Sequence, residues 1–188
     1  MAHLVVCMHV SLDGFVAGPN GEMDWIVLSQ EMFDWVGKLT DASDTALYGR
    51  NTFEMMDGYW PTAGTKPGAS KHDREHADWY NRVTKVVVSH TLQPDPARKI
   101  VVVSGDLGNQ IRKLKSNTEK NILTFGSPGA LHSMASDNVV DEYWLFVNPV
   151  ILGNGIPLFE NIQQRIPLKM ETSHAFPNGV TCLHYMKA

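Results

Sequence analysis

At 188 residues the chain is long enough for one domain with a sizeable core and short for two. Its 43% hydrophobic and 19% charged residues describe a soluble globular protein, and no apolar run approaches the roughly 20 residues of a membrane span. The 16 Lys plus Arg are scattered against 20 Asp plus Glu, which leaves a nucleic-acid surface little support.

The chain opens on Leu4-Val5-Val6-Cys7-Met8-His9-Val10, a nearly continuous apolar run expected of a strand covered on both faces. It follows His3 without the basic, apolar and small-residue order of a signal peptide. Cys7 and Cys182 are far apart with no C-x-x-C, as expected of buried thiols in a reducing cytoplasm; their spacing decides neither for nor against a bridge. After Ser11-Leu12-Asp13-Gly14 the segment Phe15-Val16-Ala17 enters the turn cluster Gly18-Pro19-Asn20-Gly21, a loop placed to lie over a ligand. Ser29 is a plausible cap for a helix whose Met32, Val36 and Leu39 share one face, with Glu31 and Asp34 expected on the solvated side.

Thr45 to Glu54 is the stretch around which the rest is organised. An apolar approach ends at Gly49, Arg50 follows at once, and Thr52 sits near the start of a short helix. Glycine admits a ligand to the backbone, unpaired N–H groups at a helix start favour an anion, and arginine offers a planar fork of donors. The combination reads as a phosphate seat at a strand end. Between Asp57 and Asp78 the chain turns polar and rich in Gly, Pro, Lys and His. Here His72-Asp73-Arg74-Glu75-His76 matches the H-x-x-E-H pattern of some zinc peptidases. No third ligand and no apolar flank support it, so no metal is expected and the pentapeptide reads as a solvated helix before Trp79-Tyr80.

Three further strand-like runs follow: Lys85–Ser89, Ile100–Ser104 and Asn121–Phe125. Asp106 can cap a helix carrying Leu107, Ile111 and Leu114, and Pro128 suits the first turn of one carrying Leu131, Met134 and Ala135. Strands alternating with amphipathic helices predict an α/β fold, with a mostly parallel central sheet and helices on both faces. Ligands in such sheets bind beyond the carboxyl ends of the strands. Those ends carry Gly49-Arg50-Asn51-Thr52, Ser89-His90-Thr91, Ser104-Gly105-Asp106 and Gly126-Ser127-Pro128-Gly129, a set suited to a long phosphorylated ligand. The strand from Tyr143 is interrupted at Pro149, and Asn178-Gly179 marks an antiparallel C-terminal hairpin. No repeat or linker divides residues 1–188, which form a single domain.

Six segments then resemble, in order, the dihydrofolate reductase superfamily, and more closely the reductase domain of the bifunctional riboflavin-biosynthesis deaminase-reductase. They are Ser11 to Ala17, Met23-Asp24-Trp25, Leu47 to Glu54, Val88 to Leu92, Gly126 to Leu131, and Val140 through Phe159. The deaminase half, with its H-x-E and P-C-x-x-C zinc signature, is absent from this sequence, as in free-standing bacterial members.

The resemblance implies a dihydrofolate reductase-like fold with NADPH across the strand ends. Gly49, Arg50 and Thr52 would hold phosphates, with Arg50 the candidate for the 2′-phosphate. Ser89, His90 and Thr91 would sit near the adenosine, Gly126, Ser127, Pro128 and Gly129 at the pyrophosphate, and Val16 and Ala17 by the nicotinamide. Asp13 and Glu31, or water, are the candidates for protonating the acceptor. On the substrate side the candidates are His9, Asp13, Trp25, Asp34 and Phe53. The implied activity is NADPH-dependent hydride transfer to a small heterocycle, a pteridine or a 5-amino-6-ribosylamino-pyrimidine. The alternative is an NADP(H)-binding module without turnover. A homodimer is expected, with the Trp144-containing strand as a candidate interface, in the cytoplasm.

Overall fold

The computed structural model describes residues 1–188. Strand β1 (Leu4–Ser11) lies inside an eight-stranded sheet and is buried along nearly its whole length. It is apolar without alternation because both its faces are covered: Val6, Met8 and Val10 join one core cluster, Val5 and Cys7 the other. Its parallel neighbours are β6 (Asn121–Phe125) and β7 (Glu142–Asn148). Beyond β6 come β3 (Ser43–Gly49), β4 (Thr84–Val88) and β5 (Ile100–Val103), all parallel. Beyond β7, β10 (Thr181–Lys187) runs antiparallel to it and β9 (Leu168–Ala175) antiparallel to β10, giving the order β5-β4-β3-β6-β1-β7-β10-β9. A separate ribbon pairs β2 (Phe15–Ala17) with β8 (Ile156–Pro157). This is the dihydrofolate reductase-like α/β fold, with its antiparallel C-terminal hairpin.

Helices α1 (Gln30–Asp41), α2 (Arg50–Ala63) and α3 (Lys71–Arg82) cover one face. There Met32, Phe53, Trp79 and Tyr80 pack with Tyr48 and Val87. On the other face α4 (Leu107–Asn117) and α5 (Pro128–Ser136) set Ile111, Leu131 and Met134 against Leu47 and Ile122. The expected caps are in place: Ser29 accepts from the Met32 amide and Asp106 from the Asn109 amide, and Pro128 opens α5. At the hairpin Gly179 takes φ +90°, and β7 stops before Pro149, which has no N–H for a ladder.

Two expectations are corrected. The helix after Gly49 is not short but runs 14 residues, with Pro61 in its last turn. The His72–His76 segment is not a solvated helix ahead of Trp79 and Tyr80. It shares α3 with them, and His76, Ala77, Trp79 and Tyr80 are all buried. Positions 72, 76, 79 and 80 recur at helical spacing, so one face turns inward despite the polar composition. Strand β7 offers no free edge, and Trp144 is engaged within the chain, stacked on His184 at 3.9 Å between ring centres. Cys7 and Cys182 are free, buried thiols; burial raises both, Cys182 to about 12. No helix is long and apolar enough to cross a membrane.

Candidate functional site

The strand order decides what meets at the carboxyl edge of the sheet. Because β3 and β6 are neighbours and parallel, the helices that leave their ends, α2 and α5, begin side by side. The Gly49 amide donates to Ser127 Oγ at 2.8 Å and ties the two starts together. Gly126 (φ +71°) and Ser127 (φ +64°) both adopt the left-handed conformation, so β6 turns sharply into α5. A Cβ on Gly126 would come within 3.3 Å of Thr52 Cγ2, so this turn packs closely on α2. The Gly126 amide donates to the Met8 sulfur at 2.9 Å, which anchors the turn to β1.

These two helix starts differ from the rest. Ser29, Ser70 and Asp106 cap α1, α3 and α4 with side-chain acceptors. Gly49 and Ser127, at the N-cap positions of α2 and α5, make no side-chain cap bond. Their first-turn amides therefore remain available beside the strand ends, with the positive ends of two helix dipoles. Arg50 stands at the first position of α2, bonded to Glu54 Oε1 at 2.5 Å and reaching Thr91 Oγ1 at 3.5 Å. Ser89 is buried, and its hydroxyl accepts from the Thr91 and Leu92 amides; it shapes the turn on which Thr91 faces Arg50. His90 is exposed.

A cleft of about 500 Å³ opens beside the helix starts. Seven of the candidates line it: His9, Val16, Ala17, Thr52, Gly126, Ser127 and Pro128. Gly49, Arg50, Ser89, His90, Thr91 and Gly129 lie outside its wall; all but His90 and Gly129 are joined by the contacts just described. The far wall consists of residues the sequence reading did not assign to the site: Phe33 and Val36 from α1, Met55, Met56 and Trp60 from α2, and His72 and His76 from α3. Phe33 stacks on His72 at 3.8 Å between ring centres, and Trp60 lies tilted against His76 at 4.0 Å. A signal for part of this wall was present, since residues 52, 55, 56 and 60 share one face of a helix.

The remaining candidates have other partners in this structure. Asp13 accepts from Ser11 Oγ, from the Leu152 amide at 3.1 Å and from the Gly153 amide at 2.7 Å. Those bonds, the Ser11 hydroxyl first, hold its carboxyl below the usual range, and it staples two loops instead of facing the cleft. Glu31 meets His174 at 3.0 Å, and Asp34 is held by Gln30 and Lys71; both are exposed, as charges on helices ordinarily are. Trp25 donates its indole N–H to the Glu22 carbonyl outside the wall. Phe53, one position beyond Thr52 on α2, turns instead into the core.

The cleft is electrostatically quiet: no Lys, Arg, Asp or Glu lines it. Its three histidines are neutral at pH 7. Burial depresses His9 to about 4 and His76 to about 3, and burial also lowers His72 against the opposing pull of Asp73 and Glu75. His76 Nε2 is buried without a hydrogen-bond partner. No cluster of three or more His, Cys, Asp or Glu is placed to hold a metal ion.

A family model for the RibD C-terminal domain matches residues 2–182. The uncharacterised Bacillus subtilis protein YyaP is 32% identical over 184 residues, which cover 97% of this chain and 93% of that protein. A diaminohydroxyphosphoribosylaminopyrimidine deaminase/5-amino-6-(5-phosphoribosylamino)uracil reductase from Thermotoga maritima has the same fold, with TM-score 0.70 and 14% identity over all of this chain and 57% of that one. So does dihydrofolate reductase from Enterococcus faecalis, solved with NADP(H), with TM-score 0.65 and 14% identity over 98% and 96% of the two chains.

Proposed function

Since the chain belongs to the RibD C-terminal domain family, we propose that it is an NADPH-dependent reductase acting on a small ring compound. The observation that carries this reading is the pair of adjoining helix starts without side-chain caps, α2 and α5, tied by the Gly49–Ser127 bond. The uncapped amides at these two adjoining helix starts fit the phosphates of a dinucleotide. The NADP(H) in the enterococcal enzyme of the same fold supports the choice of cofactor.

When bound, NADPH supplies a hydride to an acceptor carbon and leaves as NADP⁺, while a proton is added to the acceptor. The residues of this chain bind and orient. The amides beginning α2 and α5 hold phosphate oxygens, Arg50 and Thr91 flank the 2′-phosphate, and Val16 and Ala17 exclude water over the reactive ring. Phe33, Trp60, His72 and His76 flank the acceptor. We assign protonation of the acceptor to water, since neither Asp13 nor Glu31 lines the cleft. Hydride transfer needs chiefly this positioning in a dry site.

Isothermal titration of the protein and of Arg50→Gln with NADPH and NADH tests the cofactor assignment. NADPH should bind the native protein more tightly than NADH. Arg50→Gln should weaken NADPH by about tenfold or more, the loss of a charge-assisted phosphate contact, and leave NADH nearly unchanged. Equal binding of the two cofactors by the native protein rejects the role of Arg50. NADPH binding without oxidation across a panel of ring acceptors would turn the reading into a binding module without turnover. The proposal includes a cytoplasmic homodimer.

A further inference from the structure

The acceptor side of the cleft has a composition that restricts what it accepts. Three helices build it, α1 with Met32, Phe33 and Val36, α2 with Met55, Met56 and Trp60, and α3 with His72 and His76. Nothing in that wall carries a full charge. Asp34 and Lys71, each one position from a wall residue, meet each other at 3.1 Å outside it. Glu31 is engaged by His174. Arg50, assigned above to the cofactor, lies outside this wall, so on the acceptor side no cation lines the cleft to balance a ligand anion.

From this charge-free, aromatic wall we propose that the acceptor is an uncharged planar ring compound carrying neither phosphate nor carboxylate. It packs against the cluster that Phe33, His72, Trp60 and His76 form with one another. This rests on the reductase reading above and specifies its substrate class. An ionised group entering this wall would lose its hydration with no counter-charge or donor array in return, a cost that dominates over ring burial. A flat neutral ring gains instead from apolar burial and from stacking on the edges and faces already presented. The histidines are consistent with the same occupant. Burial keeps them neutral at pH 7, so neither contributes the cation that a phosphate would require.

The test is a titration calorimetry series with matched ring compounds, lumichrome against flavin mononucleotide and menadione against a sulfonated naphthoquinone, each with and without saturating NADPH. The uncharged member of each pair should bind at least about tenfold more tightly. Met55→Lys, at an exposed wall position, should raise flavin mononucleotide affinity by about tenfold and shrink the discrimination. Charged partners that bind as well as uncharged ones overturn the proposal. So does failure of both uncharged rings to bind, or a discrimination that Met55→Lys leaves intact. Uncharged rings that bind to protein unable to bind NADPH would sink the cofactor assignment and leave the substrate class standing.

Discussion

His76 is a polar residue in the wrong chemical company. Trp60, Trp79 and Phe125 surround its ring, its Nε2 has no partner, and burial holds its pKa near 3 against an ordinary 6.5. Between those two pH values the unfolded chain takes up a proton that the folded chain refuses. Stability therefore falls as pH is lowered from 6.5, by up to about 1.4 kcal/mol per pH unit for one such group. His9, depressed to about 4, acts in the same direction. The urea midpoint should fall steadily from pH 6.5 toward 4, and His76→Phe should make that decline shallower. At pH 7 the same variant should be no less stable than the native protein, because the imidazole nitrogen it removes was unpaired. An unchanged slope would contradict the assignment. This residue also shows what the sequence hid. His72 and His76 stand in a segment of charged and polar neighbours, and only the inward turn of one α3 face makes them wall residues. Conversely, Asp13 was conspicuous in sequence beside Ser11 and Gly14. Yet its proximity to the loop at 152–153, through which it is occupied, depends on contacts about 140 positions away.

Strands and helices were largely legible, and for stated reasons. Continuous apolar runs mark doubly covered strands, and Ser29, Asp106 and Pro128 mark helix starts by donor and dihedral requirements that are local. The turn from β6 into α5 was legible as a turn, but not in its geometry. Gly126 announces a positive φ, whereas Ser127 adopts one without any sequence signal, and it does so while its hydroxyl accepts from Gly49 across 78 positions. That bond is the compensation for holding a non-glycine residue in the left-handed region, which costs roughly 1–2 kcal/mol. Ser127→Ala keeps the strain and strands a partly buried amide, so it should destabilise by about 1–3 kcal/mol in denaturant titrations. Ser127→Gly loses the same bond but relieves the strain, and should be the milder change. Both should weaken NADPH binding, as should Gly126→Ala, which adds a Cβ at positive φ against Thr52. If Ser127→Ala matched the native protein in stability and affinity, the link between the two helix starts would have no part in the site.

Strand order is the property that local patterns carry least. The alternation of strands and helices implied a parallel sheet, but the insertion of β1 between β6 and β7, and of β6 beside β3, is set by which apolar faces find one another. This placement brings Gly49 to Ser127, so the site became visible only at the level of the whole sheet. The order also fixes the two edges. β5 spans four residues, whereas β9 spans eight, and all but one of these is exposed. A long outer strand leaves a row of backbone donors and acceptors unpaired, and Leu168 and Met170 add exposed apolar area to it. Lys169 and Glu171 on the same strand pair at 2.8 Å, so the edge carries little net charge to repel a second copy. We predict that the proposed homodimer pairs through β9, antiparallel across a two-fold axis. Light scattering should give twice the chain mass for the native protein and one chain mass for Leu168→Lys combined with Met170→Lys. NADPH affinity should be the same in both, because β10, β7 and β1 separate β9 from the helix starts proposed to hold the cofactor. A dimer that survives both lysines would move the interface away from this edge, and a monomeric native protein would remove it.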